Sequence, residues 1–157
     1  MLQALPAMNA IELLETQHRE MEEILERLAK TPGDRSRQGN LFDDIAERFA
    51  IHAEIEERHL YPVTTHEQVI VKSVRQHLAI ASMLAKLVRL HRSSRRRLGA
   101  KLELLRERVM LHVTLQEIYL FPELKQRLRE LELQVLGGKM LATVRELEGG
   151  NATLTAA

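Results

Sequence analysis

The chain contains no cysteine and no tryptophan, and only four prolines, seven glycines, three phenylalanines and two tyrosines among its 157 residues. Without thiols there is no disulfide, no thiolate zinc site and no cysteine-held iron–sulfur cluster, so any metal must be bound by nitrogen and oxygen. Scarce glycine and proline, set against abundant Leu, Glu, Arg and Ala, favour long helices over turn-rich β-structure. Neither sign of charge is in excess, with 23 basic residues against 22 acidic, so no global field selects nucleic acid or an anionic membrane. No apolar run reaches membrane-spanning length. The opening MLQALPAMNAIELLE lacks the charged start and sustained apolar stretch of a secretory signal, and a cytoplasmic location is the expectation. Phosphate loops, dinucleotide fingerprints and nucleophile motifs are also missing.

What the chain does have is an internal echo. HAEIEERHLYP (His52 to Pro62) and HVTLQEIYLFP (His112 to Pro122) align residue by residue. His52 matches His112, Glu56 matches Gln116, Glu57 matches Glu117 and His59 matches Tyr119, while Gln17-His18 returns as Gln76-His77. This is the signature of a doubled helical hairpin.

Four amphipathic segments stepping by threes and fours carry these motifs. The first has Ile11, Leu14, His18, Met21, Leu25 and Leu28 on one stripe, with Asn9 as N-cap and Thr31-Pro32-Gly33-Asp34 opening a polar loop through Asn40. The second has Phe42, Ile45, Phe49, His52, Glu56, His59 and Val63, with Tyr61-Pro62 kinking or ending it. The third, from about Glu67 to His91, has Ile70, Val74, His77, Ala81, Leu84, Val88 and His91. The fourth has Leu98, Leu102, Leu105, Val109, His112, Gln116 and Tyr119, with Phe121-Pro122 near its end. Short connections predict an all-α, antiparallel up-down-up-down four-helix bundle in a single domain, its core at about residues 9–122. A helical tail over 123–148 should run through Leu136, break at Gly137-Gly138 and resume as a short helix, folding its Leu124, Leu128, Leu131 and Val135 face back on the bundle. The residues after Gly150 should fray.

His18, His52, His77 and His112 fall one per helix on the stripes that face the core, at similar heights. A buried carboxylate is costly unless paired or bound to a cation, and Glu56 lies one turn after His52 on the same face. Imidazole with carboxylate suits iron, and also zinc, copper or nickel. His59 and Tyr119, seven residues after His52 and His112, are further candidates, or else polar core residues that hydrogen-bond to the site. Glu22 reads as a salt-bridge partner instead. The basic run His91 to Arg97 lacks interleaved aromatics and reads as a solvated loop, with no nucleic-acid partner.

The His18 helix, H-A-E-I-E-E-R-H-L-Y-P, the isolated His77 and H-V-T-L-Q-E-I-Y-L-F-P together resemble the hemerythrin-like (HHE cation-binding) family, from about Ile11 to Pro122. That resemblance implies a non-haem di-iron centre held by histidines and bridged by two carboxylates. The second carboxylate position is Gln116 here, a neutral and poor bridge. Glu117, five residues after His112, resembles the last ligand pair of the oxygen-carrying members and is the expected second carboxylate, with Gln116 a secondary candidate. Those members also show His-x-x-x-His on the third helix, where this chain has Ser73 before His77. The expected metal set is thus His18, His52, Glu56, His77, His112 and Glu117, with His59, Gln116 and Tyr119 as further candidates. The expected function is binding or sensing oxygen, nitric oxide or peroxide, or handling iron. A peroxide- or oxygen-consuming enzyme, or a metal-free interaction module, is the alternative.

Overall fold

The computed structural model describes residues 7–93 and 98–155, and the regular structure of these residues is helical throughout, with no strand among them. Helices α1 (Ala10–Lys30), α2 (Arg35–Ile55), α3 (Glu67–Ser93) and α4 (Gly99–Leu115) pack in sequence, and α4 closes back on α1. This is the expected up-down-up-down bundle. Ser94 to Arg97, the heart of the basic run, lie outside the described residues.

Asn9 caps α1 reciprocally: its Oδ1 accepts from the Glu12 amide at 2.9 Å, while its own amide donates to the Glu12 carboxylate at 3.1 Å. The polar loop after α1 is shorter than its composition suggests. Gly33 takes φ +101°, and Asp34 then caps α2 by accepting from the Arg37 amide at 3.0 Å, so residues 35–40 are already helical.

Both copies of the echo contain a widened turn. At Glu56–Leu60 and again at Gln116–Leu120 the chain makes a π-helical turn, in which the Tyr61 amide donates to the Glu56 carbonyl and the Phe121 amide to the Gln116 carbonyl. Each turn places a proline, Pro62 or Pro122, in the next helical segment's first turn, where a missing amide costs nothing. The first half then ends in a tight turn, Tyr61–Val63. In the second half the helix continues as α5 (Phe121–Arg127), so Phe121-Pro122 is not an end.

The tail departs most from expectation. It breaks at Leu128, which is extended at ψ 135°, and restarts as α6 (Glu130–Thr155), unbroken through Gly137-Gly138 and helical as far as Thr155. The break resets the helical phase. Leu124, Leu133, Leu136, Met140 and Val144 are buried, whereas Leu131 and Val135 are exposed. The tail does fold back, but not on the whole of the expected Leu124, Leu128, Leu131 and Val135 face: α6 lies on α1 and α2, tied by Asn9 Nδ2 to Glu130 at 3.1 Å and by His59 Nε2 with Thr143 Oγ1 at 2.8 Å. Gly137 is there for close approach. A Cβ on it would run into the Met8 carbonyl oxygen and lie 2.8 Å from the Ala10 amide nitrogen, whereas one on Gly138 would meet nothing within 4 Å. Gly138→Ala should therefore stabilise the fold by about 0.5–1 kcal/mol, the usual helix-interior gain. Gly137→Ala should reverse that sign and cost about 1–3 kcal/mol by overpacking. Urea unfolding of the pair checks this, and equal shifts would refute the close approach.

The apolar core forms two clusters. One is built from Leu14, Ile55, Leu60, Leu120, Phe121 and the tail, and the other from Met21, Leu25, Phe49, Ile80, Leu84 and Val109. Between them runs a polar layer, in which His18 sits between Leu14 and Met21 along α1. Along α3 the buried face is Val69, Ser73, His77, Ile80, Leu84, Leu87 and His91, one edge over from the expected Ile70, Val74, Ala81 and Val88.

Candidate metal centre

The mid-bundle layer holds His18, His52, Glu56, Ser73, His112 and Gln116, all with no exposed surface, and His77 at 3%. His18 comes from α1, His52 from α2, His77 from α3 and His112 from α4, so antiparallel packing brings four imidazoles to one height. Neighbouring ring centroids lie 5.0 Å apart for His18 and His52, 5.6 Å for His52 and His112, and 4.7 Å for His77 and His112.

Each ring is held from behind through Nδ1. His52 Nδ1 donates to Gln17 Oε1 at 2.9 Å, and His112 Nδ1 to Gln76 Oε1 at 3.1 Å. His77 Nδ1 bonds the Glu57 carboxylate at 2.7 Å, and His18 Nδ1 that of Glu117 at 2.9 Å. Each of these partners is the sequence neighbour of a layer residue: Gln17 precedes His18, Gln76 precedes His77, Glu57 follows Glu56 and Glu117 follows Gln116. The glutamines serve the histidine of their own hairpin, and the glutamates serve the histidine of the other. In His18, His52 and His112 an Nδ1 proton committed outward turns the Nε2 lone pair inward, the tautomer that binds metal, whereas His77 meets a carboxylate at both nitrogens and donates from each.

Several of the inward atoms lack partners. His18 Nε2, His52 Nε2, His112 Nε2 and Glu56 Oε1 are buried and make no hydrogen bond. One ligand atom from each of these four residues falls within a set no more than 4.8 Å across. His52 Nε2 faces Glu56 Oε1 at 3.3 Å. A lone pair and a carboxylate oxygen that close, buried together, carry a cost that a shared cation would relieve. Three imidazole nitrogens and one carboxylate oxygen fit a borderline first-row metal. Phe49 packs against His52, His77 and His112, and Phe121 stacks on His18 at 5.8 Å, shielding the layer with apolar rings.

Protonation follows the same layout. Burial pushes His52 well below the ordinary imidazole value, and His112 below it too, so both stay neutral. Burial works against an ionised Glu56, but its carboxyl is held well below the usual range, and the hydrogen bond from His77 is a cause consistent with neutral His52 and His112. Burial also opposes charge on His77, yet its pKa is raised, because Glu56 and Glu57 present carboxylates to both its nitrogens.

The structure brings His18, His52, Glu56, His77, His112 and Gln116 into the layer and leaves three candidates outside it. Glu117 is 30% exposed and grips His18 from behind while pairing with Arg19. Five residues after His112 is well over a third of a turn off the inward face, whereas four residues is close to it. His59 is turned toward α6, bonded to Thr143, and Tyr119 is 54% exposed. The π turns explain both, since an extra residue per turn hands the inner stripe to Leu60 and Tyr61 in one half, and to Leu120 and Phe121 in the other. Glu22 pairs with Arg19 at 3.0 Å, the salt bridge expected of it. Sequence reasoning assigned no place at the site to Gln17, Gln76, Glu57 or Tyr61. The repeated Gln-His and the paired Glu57 and Glu117 carried the signal for the first three.

The family model for the hemerythrin HHE cation binding domain matches residues 9–124, and the chain belongs to that family. No curated protein matches. Among solved structures, a hemerythrin HHE cation binding domain-containing protein from Mycobacterium kansasii shares the fold at a TM-score of 0.79. It is 22% identical, and the match covers 90% of this chain and 88% of that one. The chain is therefore a cation-binding domain by family, with a buried His/Glu group suited to a metal.

Proposed function

We propose that this protein holds non-haem iron at His18, His52, His112 and Glu56 and uses it to bind a small ligand such as oxygen, nitric oxide or peroxide, as a carrier or sensor. The supporting observation is the convergence of four unpartnered, buried ligand atoms from three histidines and a glutamate. Iron bound there would supply Lewis acidity and one-electron redox chemistry. The chain's own residues do the rest. Gln17, Gln76 and Glu117 fix the orientation of the three rings, and Phe49 and Phe121 keep bulk water from them. With only four protein donors, iron held there would have room for a small ligand.

Metal analysis after anaerobic loading with ferrous iron, followed by optical titration with oxygen, nitric oxide and peroxide, tests this. We expect stoichiometric iron and a reversible spectral change. Less than about 0.2 metal per chain would end the metal reading, and sustained peroxide loss would make the protein an enzyme.

A further inference from the structure

We infer that the centre is built for one metal ion, with the position of a second closed by Gln116 and Tyr61. This rests on the metal-binding reading above and specifies its stoichiometry.

The two oxygens of Glu56 have opposite surroundings. Oε1 makes no hydrogen bond and faces His52 Nε2 at 3.3 Å. Oε2 is bonded three times: by Gln116 Nε2 at 2.7 Å, by the Tyr61 hydroxyl at 2.8 Å and by His77 Nε2 at 3.0 Å. A carboxylate that bridges two metals needs both oxygens free. Here one is free and the other is filled by hydrogen-bond donors, which makes Glu56 a terminal ligand through Oε1 beside His52, with His112 Nε2 3.6 Å from the filled Oε2.

The far side offers little else. His77 is the imidazole left over, and its Nε2 is engaged by Glu56, with Tyr61 Oη a further 3.3 Å away. One turn before it stands Ser73, whose buried hydroxyl is, like Gln116 Oε1, without a hydrogen-bond partner, but both are neutral oxygens and weak ligands beside a carboxylate. Gln116 has the length and placement of a second inward carboxylate, one turn after His112, but it is an amide. Its nitrogen must be the atom that meets Glu56, since an amide oxygen there would face carboxylate oxygen with no proton between them. The same nitrogen also reaches Tyr61 Oη at 3.2 Å, which closes a ring of Glu56, Tyr61 and Gln116. Charge points the same way, because the layer contains one carboxylate. Two divalent ions within a few ångströms, with a single buried negative charge between them, would repel strongly in a low-dielectric interior.

The experiment is a gain of metal. Gln116→Glu restores an acceptor where the donor stands, removes one of the three bonds on Glu56 Oε2 and adds the missing charge. Metal-free wild type and variant are loaded anaerobically with excess ferrous iron and desalted, and their iron is counted, with circular dichroism confirming the helical fold of each. Wild type should retain about one iron per chain and Gln116→Glu about two. Tyr61→Phe, which removes a second donor, should raise the count of the double variant no further than two. Two irons in wild type would overturn the one-metal assignment while leaving metal binding intact. One iron in a folded Gln116→Glu would overturn the role given to Gln116. Iron absent from wild type would instead defeat the metal reading itself.

Discussion

Glu56→Ala should abolish stoichiometric metal binding and destabilise the metal-free protein. Loss of a residue that only orients a ligand typically weakens metal affinity 10–100-fold, so removing the single carboxylate should exceed about 100-fold. The metal-free cost has a separate origin. Gln116 Nε2, the Tyr61 hydroxyl and His77 Nε2 all point at Glu56 Oε2, and truncation leaves these buried donors without their acceptor. Removing one partner from a buried charged network costs about 3–5 kcal/mol. Glu56→Gln separates the two effects, because the amide keeps the volume and can still accept from Tyr61. It should recover much of the stability, read by urea unfolding, but none of the metal. A Glu56→Gln protein that loads iron like wild type would remove Glu56 from the ligand set.

His18→Leu should have the opposite effect on stability. His18 sits between Leu14 and Met21 in an apolar stripe, and its Nε2 is buried without a partner. Such a group costs about 1–3 kcal/mol in the metal-free state. Leucine fits the stripe and removes that cost, and Glu117 keeps Arg19 as its partner. The metal-free variant should be at least as stable as wild type while its iron affinity falls by more than about 100-fold. The two together would mean that the histidine is retained for its ligand role and at some expense to the fold. A loss of more than about 2 kcal/mol in the metal-free variant would sink this, because it would make His18 a structural residue.

The fold and the centre of the site were legible for a simple reason. Apolar residues stepping by threes and fours give the helices, and His18, His52, Glu56, His77 and His112 interrupt those stripes at matching heights, where a lone polar group has no other excuse. The edges were not legible. EERHL and QEIYL have ordinary helical composition, and nothing in either announces the extra residue per turn that removes His59 and Tyr119 from the inner face. Gly137-Gly138 reads as a break, and only the approach of Met8 and Ala10 shows that Gly137 serves close contact inside a continuous helix. The choice between Gln116 and Glu117 turned on which carboxyl-type side chain points inward, a matter of one hundred degrees of helix rotation. Carboxylate chemistry favoured Glu117, but geometry gave the inner position to the amide and set Glu117 to orient His18.

The most direct test is a crystal structure of iron-loaded protein with anomalous difference density collected at the iron edge. A single peak bounded by His18 Nε2, His52 Nε2, His112 Nε2 and Glu56 Oε1 is the predicted result. No peak there, or iron held elsewhere in the chain, would contradict the assignment of this layer as the metal centre.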